Sequence, residues 1–498
     1  MSRNILLKRR AVLTGIAGLA AQGALANVPV SPIPTPRPSA PPPRDLAALT
    51  RALIADVGLS GEVACVMADA QTGQPLVVIQ PDLLLPPASV TKAVTAAYAY
   101  DTLGPGYRFA TRVLGTGPMR DGVLHGDLVL AGGGDPGLDT VGLAQLAADL
   151  KAIGLHEVKG RLLIWSAALP LIPEIAPDQP DHLGYNPSVS GLNLNYNRVH
   201  FEWRQQGADY QVTMDARVGT LRPRTGHARV QLAARSLPVY AHRTDADTGY
   251  EHWSVARPAL GTGGARWLPV RDSGLYAGDV FRTLLRAEGL VLPAAKRITL
   301  LPEGQTLASR ISAPLYDIAR GMLKYSTNLT AEVLGLEASA HLNGAPLSDL
   351  PSSGAAMTNW AKAHLGMTQS QFVDHSGLGD GSRTTTRDLC SALLLQGREG
   401  ALKSSLKNIA LRQDDGTATP LSLSAKTGTL NFVSALAGHI APRAGPGMIF
   451  AILTADMARR AAIAPDDREN PAGSQSWTRR SRRMQYNLVR LWSGVPLA

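Results

Sequence analysis

The stretch LLLPPASVTKAVTAAYAY, residues 83–100, reads as a proline pair followed by an Ala-rich apolar helix, a segment that belongs in a core. Its first turn carries Ser89 and Lys92, at i and i+3, on one helix face. A lysine pointed into a core is costly to bury unless something uses it. Lys92 therefore either snorkels to solvent or serves the serine, and the remaining chain has to fit around that helix.

The chain has 498 residues, too many for one hydrophobic core, so two or three domains are expected. Its formal charge of +10 does not point to nucleic acid. Arg3, Lys8, Arg9 and Arg10 precede an uncharged run, AVLTGIAGLAAQGALA, that closes on Ala24-Leu25-Ala26, the pattern of a cleaved secretory signal. Arg9-Arg10 adds a weak hint of twin-arginine export. The remaining charge is spread out, except for Arg479, Arg480, Arg482 and Arg483, read first as a solvated helix face and second as a weak contact with an anionic membrane or wall polymer. Residues 27–43 form a proline-rich, extended spacer. Cys65 and Cys390 neither require nor exclude a bridge. Without HExxH or clustered histidines, neither metal nor cofactor is expected.

Along the chain, RDLAALTRALIADVGL is helical, and GEVACVMADAQTGQPLVVIQ reads as a hairpin about Gln-Thr-Gly. Strand-like blocks with glycine turns begin near residue 108, and 195–255 is mainly β. Helices return from AGDVFRTLLRAEGL through LEASAHL; LSLSAKTGTL, SALAGHIA and GMIFAILTAD are strands, and a basic helix closes the chain. The pattern is a first domain interrupted by an insertion and completed by the C-terminal third.

Three short motifs carry chemistry, and each has an ordinary explanation. Ser89-x-x-Lys92 pairs a weak nucleophile with a base, which works once desolvation lowers the lysine pKa; Ser404-Ser405-Leu406-Lys407 matches the same pattern and is read as chance. Ser326-Thr327-Asn328 stands ahead of a helix, where the same residues serve as caps. Lys426-Thr427-Gly428-Thr429 lies in a strand, where glycine admits a close neighbour; it is either a substrate edge or a solvated turn.

Together and in this order, S-x-x-K, S-x-N and K-T-G resemble the serine penicillin-recognising proteins. About 230 residues separate Lys92 from Ser326, room for extra domains. That layout is similar to the peptidase S13 family, the penicillin-binding-protein-4-type D-alanyl-D-alanine carboxypeptidases and endopeptidases. GGGDPGL at 132–138, SGLNLNYNRV at 190–199, DHSGLG at 374–379 and AKTGTLNFVSALAGHI at 425–440 agree. The resemblance implies an α/β (α+β) fold, a transpeptidase-like domain whose antiparallel sheet is flanked by helices. The implied boundaries are a signal at 1–26, a linker at 27–43, the domain's first part at 44–107, one or two mainly β accessory domains at 108–300, and its second part at 301–498.

It also implies roles. Ser89 attacks the D-Ala carbonyl and Lys92 takes its proton. Ser326 relays a proton to the leaving amine, and Asn328 holds Lys92 and the substrate amide. Lys426 with Thr427 or Thr429 binds the terminal carboxylate beside Gly428, and the Ser89 and Thr429 amides form an oxyanion hole. Peptidoglycan stem peptides are the implied substrate, β-lactams the inhibitors and the periplasm the location. A β-lactamase and a non-catalytic wall-binding homologue remain as alternatives.

Two departures from the family pattern bear on side-chain preference: Gly379-Asp380-Gly381-Ser382 before Arg383, and Trp165-Ser166-Ala167-Ala168 after GRLLI. GGGDPG also satisfies G-x-G-x-x-G, but Pro136 removes an amide that phosphate would need, so a nucleotide site is not expected.

Overall fold

The computed structural model describes residues 45–397, 400–411, 421–442 and 446–494. The signal and spacer segments lie outside the described residues. A six-stranded, wholly antiparallel sheet runs in the order Lys407–Ile409, Leu421–Leu430, Val433–Pro442, Met448–Ala455, Glu62–Asp69, Pro75–Ile79. Its N-terminal hairpin turns where the sequence places it, and the Asp69 carboxylate accepts from the Gln71 and Thr72 amides.

Period-2 alternation gives this sheet two unlike faces. One face is rich in alanine, with Ala64, Ala68, Ala435, Ala437 and Ala451 set among Val66, Val433, Ile449 and Leu453. Against it lie the helix Thr91–Leu103 and the helices Leu315–Tyr325, Asn328–Asn343, Leu350–Leu365 and Thr386–Leu395. The other face carries Cys65, Met67, Leu436, Phe450 and Ile452, covered by Met484, Leu488 and Trp492 of the closing helix Ser474–Trp492, with the helix Leu46–Val57 packed alongside. Cys65 and Cys390 belong to opposite faces, and both are free thiols.

In the helix Thr91–Leu103, positions 91–100 are all buried, so it runs through the middle of its layer. Its two tyrosines keep their hydroxyls satisfied, Tyr98 by Ser339 at 3.1 Å and Tyr100 by Ser405 at 2.6 Å.

A second core, around Trp253, Phe201, Tyr276 and Phe281, belongs to the intervening chain. A five-stranded sheet runs Lys296–Ile298, Leu162–Trp165, Leu128–Gly132, Ala110–Gly115, Gln305–Ile311, so the accessory sheet takes in residues up to 311. Strands between 198 and 269 make two further three-stranded sheets. The glycines of GGGDPG serve packing. A Cβ on Gly132 would lie 2.4 Å from the Gly191 carbonyl, and the Gly134 amide donates to that same oxygen at 2.7 Å.

Glu251 anchors this region. It is fully buried and accepts from His227 and His242 Nε2 (3.1 and 3.2 Å) and from the Arg271 and Asp272 amides (2.7 and 2.9 Å). Glu251→Ala is expected to destabilise the protein by about 3 kcal/mol, because four polar groups lose their shared acceptor. Chemical denaturation monitored by tryptophan fluorescence checks this.

Candidate active site

The site assembles where the alanine-rich face lets turn and strand meet. Ala88–Val90 is a tight 3-10 turn leading into the helix Thr91–Leu103, and Ala88 takes a left-handed φ of 46°. Such a conformation costs roughly 1–3 kcal/mol and persists only where its surroundings hold it. Here the strand Leu421–Leu430 and the 374–379 loop do so. A Cβ on Gly428 would fall 2.7 Å from the Pro87 carbonyl and 3.1 Å from the Ser89 amide, and one on Gly377 would fall 1.9 Å from the Ala88 carbonyl.

Lys92 is fully buried. Its Nζ donates to Ser89 Oγ at 2.9 Å, Asn328 Oδ1 at 2.7 Å and the Ser376 carbonyl at 2.7 Å. Burial pulls its pKa down to about 8, against the opposing charges of Glu332 and Asp374. These two acids are buried as well. Glu332 accepts from the His375 and Ser376 amides, both at 2.9 Å, and burial followed by Asp374 raises its pKa to about 8. Asp374 accepts from the Gly377 and Gly379 amides, each at 2.7 Å, and burial raises its pKa too.

Ser326 is the left-handed residue (φ 60°) closing the helix Leu315–Tyr325, so its hydroxyl caps nothing. It accepts instead from Lys426 Nζ at 3.0 Å, which also donates to the Thr427 carbonyl at 2.7 Å. Burial, then the neighbouring Lys92 and Lys407, hold the Lys426 pKa well below normal. Asn328 opens the next helix, and its Nδ2 donates to the Tyr185 carbonyl at 2.9 Å, which leaves Oδ1 for Lys92.

Ser89, Ser326, Asn328 and Thr429 line one cavity of about 540 Å³, which also takes Gln179 and Tyr185 from the accessory region and Arg479 and Arg482 from the closing helix. Lys92 and Lys426 reach this group by the bonds above; Gly428 presses on Ser89, and Thr427 contributes its carbonyl. Sequence reasoning did not identify Glu332, Asp374, the Ser376 carbonyl or Tyr185, and it named Arg482 only as part of a basic cluster, not as lining the cavity. The only trace of them was DHSGLG, quoted for resemblance without a role. Ser404 contacts Tyr316 at 3.1 Å, apart from this group.

The family model of the D-Ala-D-Ala carboxypeptidase 3 (S13) family matches residues 46–473. The chain belongs to that family. It is thereby a serine-type D-Ala-D-Ala carboxypeptidase with the penicillin-binding-protein fold. It is 27% identical over 424 residues to a D-alanyl-D-alanine carboxypeptidase of Actinomadura sp. strain R39, covering 78% of this chain and 77% of the relative. With D-alanyl-D-alanine carboxypeptidase DacB of Haemophilus influenzae it shares 24% over 392 residues, 73% of this chain and 79% of that one. The crystal structure of penicillin binding protein 4 (dacB) from H. influenzae superposes with a TM-score of 0.69 at 20% identity, over 88% of this chain and 99% of that one. It supports the fold.

Gly428→Ala is expected to slow acylation of Ser89 by ~10²-fold, since the new Cβ pushes strand and turn apart by a fraction of an ångström. Stopped-flow measurement with a chromogenic β-lactam, alongside an unchanged circular dichroism spectrum, checks it.

Proposed function

We propose that this protein trims or un-crosslinks peptidoglycan stem peptides through an acyl-enzyme on Ser89. The observation that carries this reading is the asymmetry around Lys92 Nζ. Of its three partners, the Asn328 Oδ1 and the Ser376 carbonyl can only accept hydrogen bonds, whereas the Ser89 hydroxyl can also donate. A neutral amine has two hydrogens and one lone pair. Its hydrogens satisfy the two obligate acceptors, and the lone pair is left facing Ser89 Oγ. The bond from Asn328 Nδ2 to Tyr185 holds the amide in the orientation this needs.

The serine oxygen then attacks the penultimate D-Ala carbonyl as its proton passes to Lys92. The oxyanion is held by the Ser89 and Thr429 amides, worth roughly 3 kcal/mol per donor. The C–N bond breaks, and the departing amine takes its proton through Ser326, which Lys426 holds in place. Lys426, Thr427 and Thr429 receive the carboxylate of the leaving residue. Water attacks the ester, and Ser89 recovers its proton. β-Lactams acylate the same oxygen and leave slowly. Cleavage of cross-links follows the same steps with a diamino-acid amine as leaving group. The export pattern of residues 1–26 and a peptidoglycan substrate both support a periplasmic location; among the described residues no helix is long and apolar enough to cross a membrane.

Intact-protein mass after brief exposure to benzylpenicillin tests the proposal. A stable adduct is expected on the wild type and none on Ser89→Ala. Rapid penicillin hydrolysis without an adduct would favour a β-lactamase; neither adduct nor hydrolysis would favour a non-catalytic homologue. Because Lys92 must be neutral to accept the proton, the acylation rate is expected to rise with pH to an inflection near 8, which belongs to Lys92 and Glu332 as a pair. Lys92→Ala should remove both the inflection and nearly all of the rate.

A further inference from the structure

The basic cluster of the closing helix divides by helical phase. Gln475, Thr478, Arg479 and Arg482 face the catalytic cavity, whereas Arg480 and Arg483 do not line it. Arg482 Nη2 donates to Thr429 Oγ1 at 2.8 Å. The opposite side of the helix is buried through Trp477, Ser481, Met484 and Leu488, so the phase is set by packing. The matched family region ends at residue 473, one residue before this helix begins.

The cavity carries a surplus of positive charge. Arg460, Arg468, Arg479 and Arg482 line it against one acid, Glu469. Glu469 already has His182 and Arg266, each at 2.7 Å. Arg460 is paired with Asp380, and Arg468 lies 3.8 Å from Asp178. Arg479 and Arg482 have no acidic partner among the described residues. Two uncompensated guanidiniums beside a threonine that borders the reacting serine make a carboxylate receptor. Because Thr429 Oγ1 accepts from Arg482, its own O–H is free to point at the same anion.

We propose that Arg482, supported by Arg479, binds a carboxylate on the carbon next to the leaving nitrogen, and so selects substrates that have one. The inference rests on the acyl-transfer reading above and extends it to the choice of leaving group. D-Alanine meets the requirement, as does a diamino acid joined through the amine of a carbon that also bears a free carboxylate. A cross-link to a side-chain terminal amine has no carboxylate there, and the enzyme should cleave it poorly.

The test compares kcat/KM on an acylated peptide ending in D-Ala-D-Ala with the same peptide ending in D-Ala-D-alaninamide. The wild type is expected to prefer the acid. Arg482→Ala should cut the rate on the acid about tenfold or more, and that on the amide less than twofold, so the preference collapses. Arg482→Lys should keep part of it, and Arg480→Ala should behave as wild type. An active wild type whose acid-to-amide ratio survives Arg482→Ala, whether both rates fall together or neither moves, overturns this inference alone. A wild type that takes no penicillin adduct and cleaves neither peptide overturns the acyl-transfer reading and this inference with it.

Discussion

A lysine ammonium without access to water must find every hydrogen bond and countercharge inside the protein, or give up its proton. Much of this structure answers that constraint. Lys92 has three acceptors within 2.9 Å, drawn from its own turn, from the helix Asn328–Asn343 and from the 374–379 loop. Glu332 and Asp374 supply the opposing charge, and both are held by backbone amides of that loop rather than by other cations. Burial raises the pKa of both acids as it lowers that of Lys92, so the buried groups share their protons and the amine is drawn toward the neutral range.

The sheet makes that burial attainable. Alanines on one face let the turn Ala88–Val90 and the helix Thr386–Leu395 lie close, with the helix Thr91–Leu103 enclosed in the same core, and the bulky residues on the other face fill the space under the closing helix. Gly428 carries the same logic to the edge of the site. A strand can touch the serine's turn only where it has no side chain of its own, and the left-handed Ala88 is held between that strand and Gly377. Strain and access therefore share one cause: the turn is compressed from two sides, which holds the Ser89 hydroxyl at a hydrogen-bonding distance from Lys92 Nζ.

What could be read from the sequence follows the range of each interaction. Ser89 and Lys92 were legible because i and i+3 share a helix face whatever the tertiary fold. Gly428 was legible because a glycine inside a strand has few purposes. Ser326 was ambiguous for a physical reason: Ser-Thr-Asn before a helix is also a cap, and only the left-handed backbone at Ser326, with its hydroxyl turned to Lys426, separates the two. Glu332 and Asp374 were not legible, since nothing local marks an acid as buried 240 or more residues from the lysine it offsets. The strand patterns marked the individual strands and the interruption of the first domain, and the antiparallel sheet flanked by helices came from the family resemblance; the extension of the accessory sheet to Ile311 was in neither, because its last strand pairs with Ala110–Gly115 across nearly the whole insertion.

The accessory region is part of the site rather than a passenger. Its Tyr185 carbonyl fixes the Asn328 amide, and Gln179 and Tyr185 form a wall of the cavity. This wall is tied to the catalytic half by apolar packing, with Leu169, Ile175, Ala176 and Val189 in the core beside the helix Thr91–Leu103, and by polar contacts. His182 and Arg266 both meet Glu469, and Arg468 donates to the Asp178 carbonyl. Ion pairs exposed to this degree contribute little to stability, but they fix orientation, and orientation is what Asn328 needs from Tyr185. The positions of the Lys92 hydrogens thus depend, through one amide, on how the inserted region sits against the sheet. The same half of the molecule pairs Glu469, the single acid lining the cavity among the described residues, with His182 and Arg266, which leaves Arg479 and Arg482 as uncompensated charge on the wall formed by the closing helix.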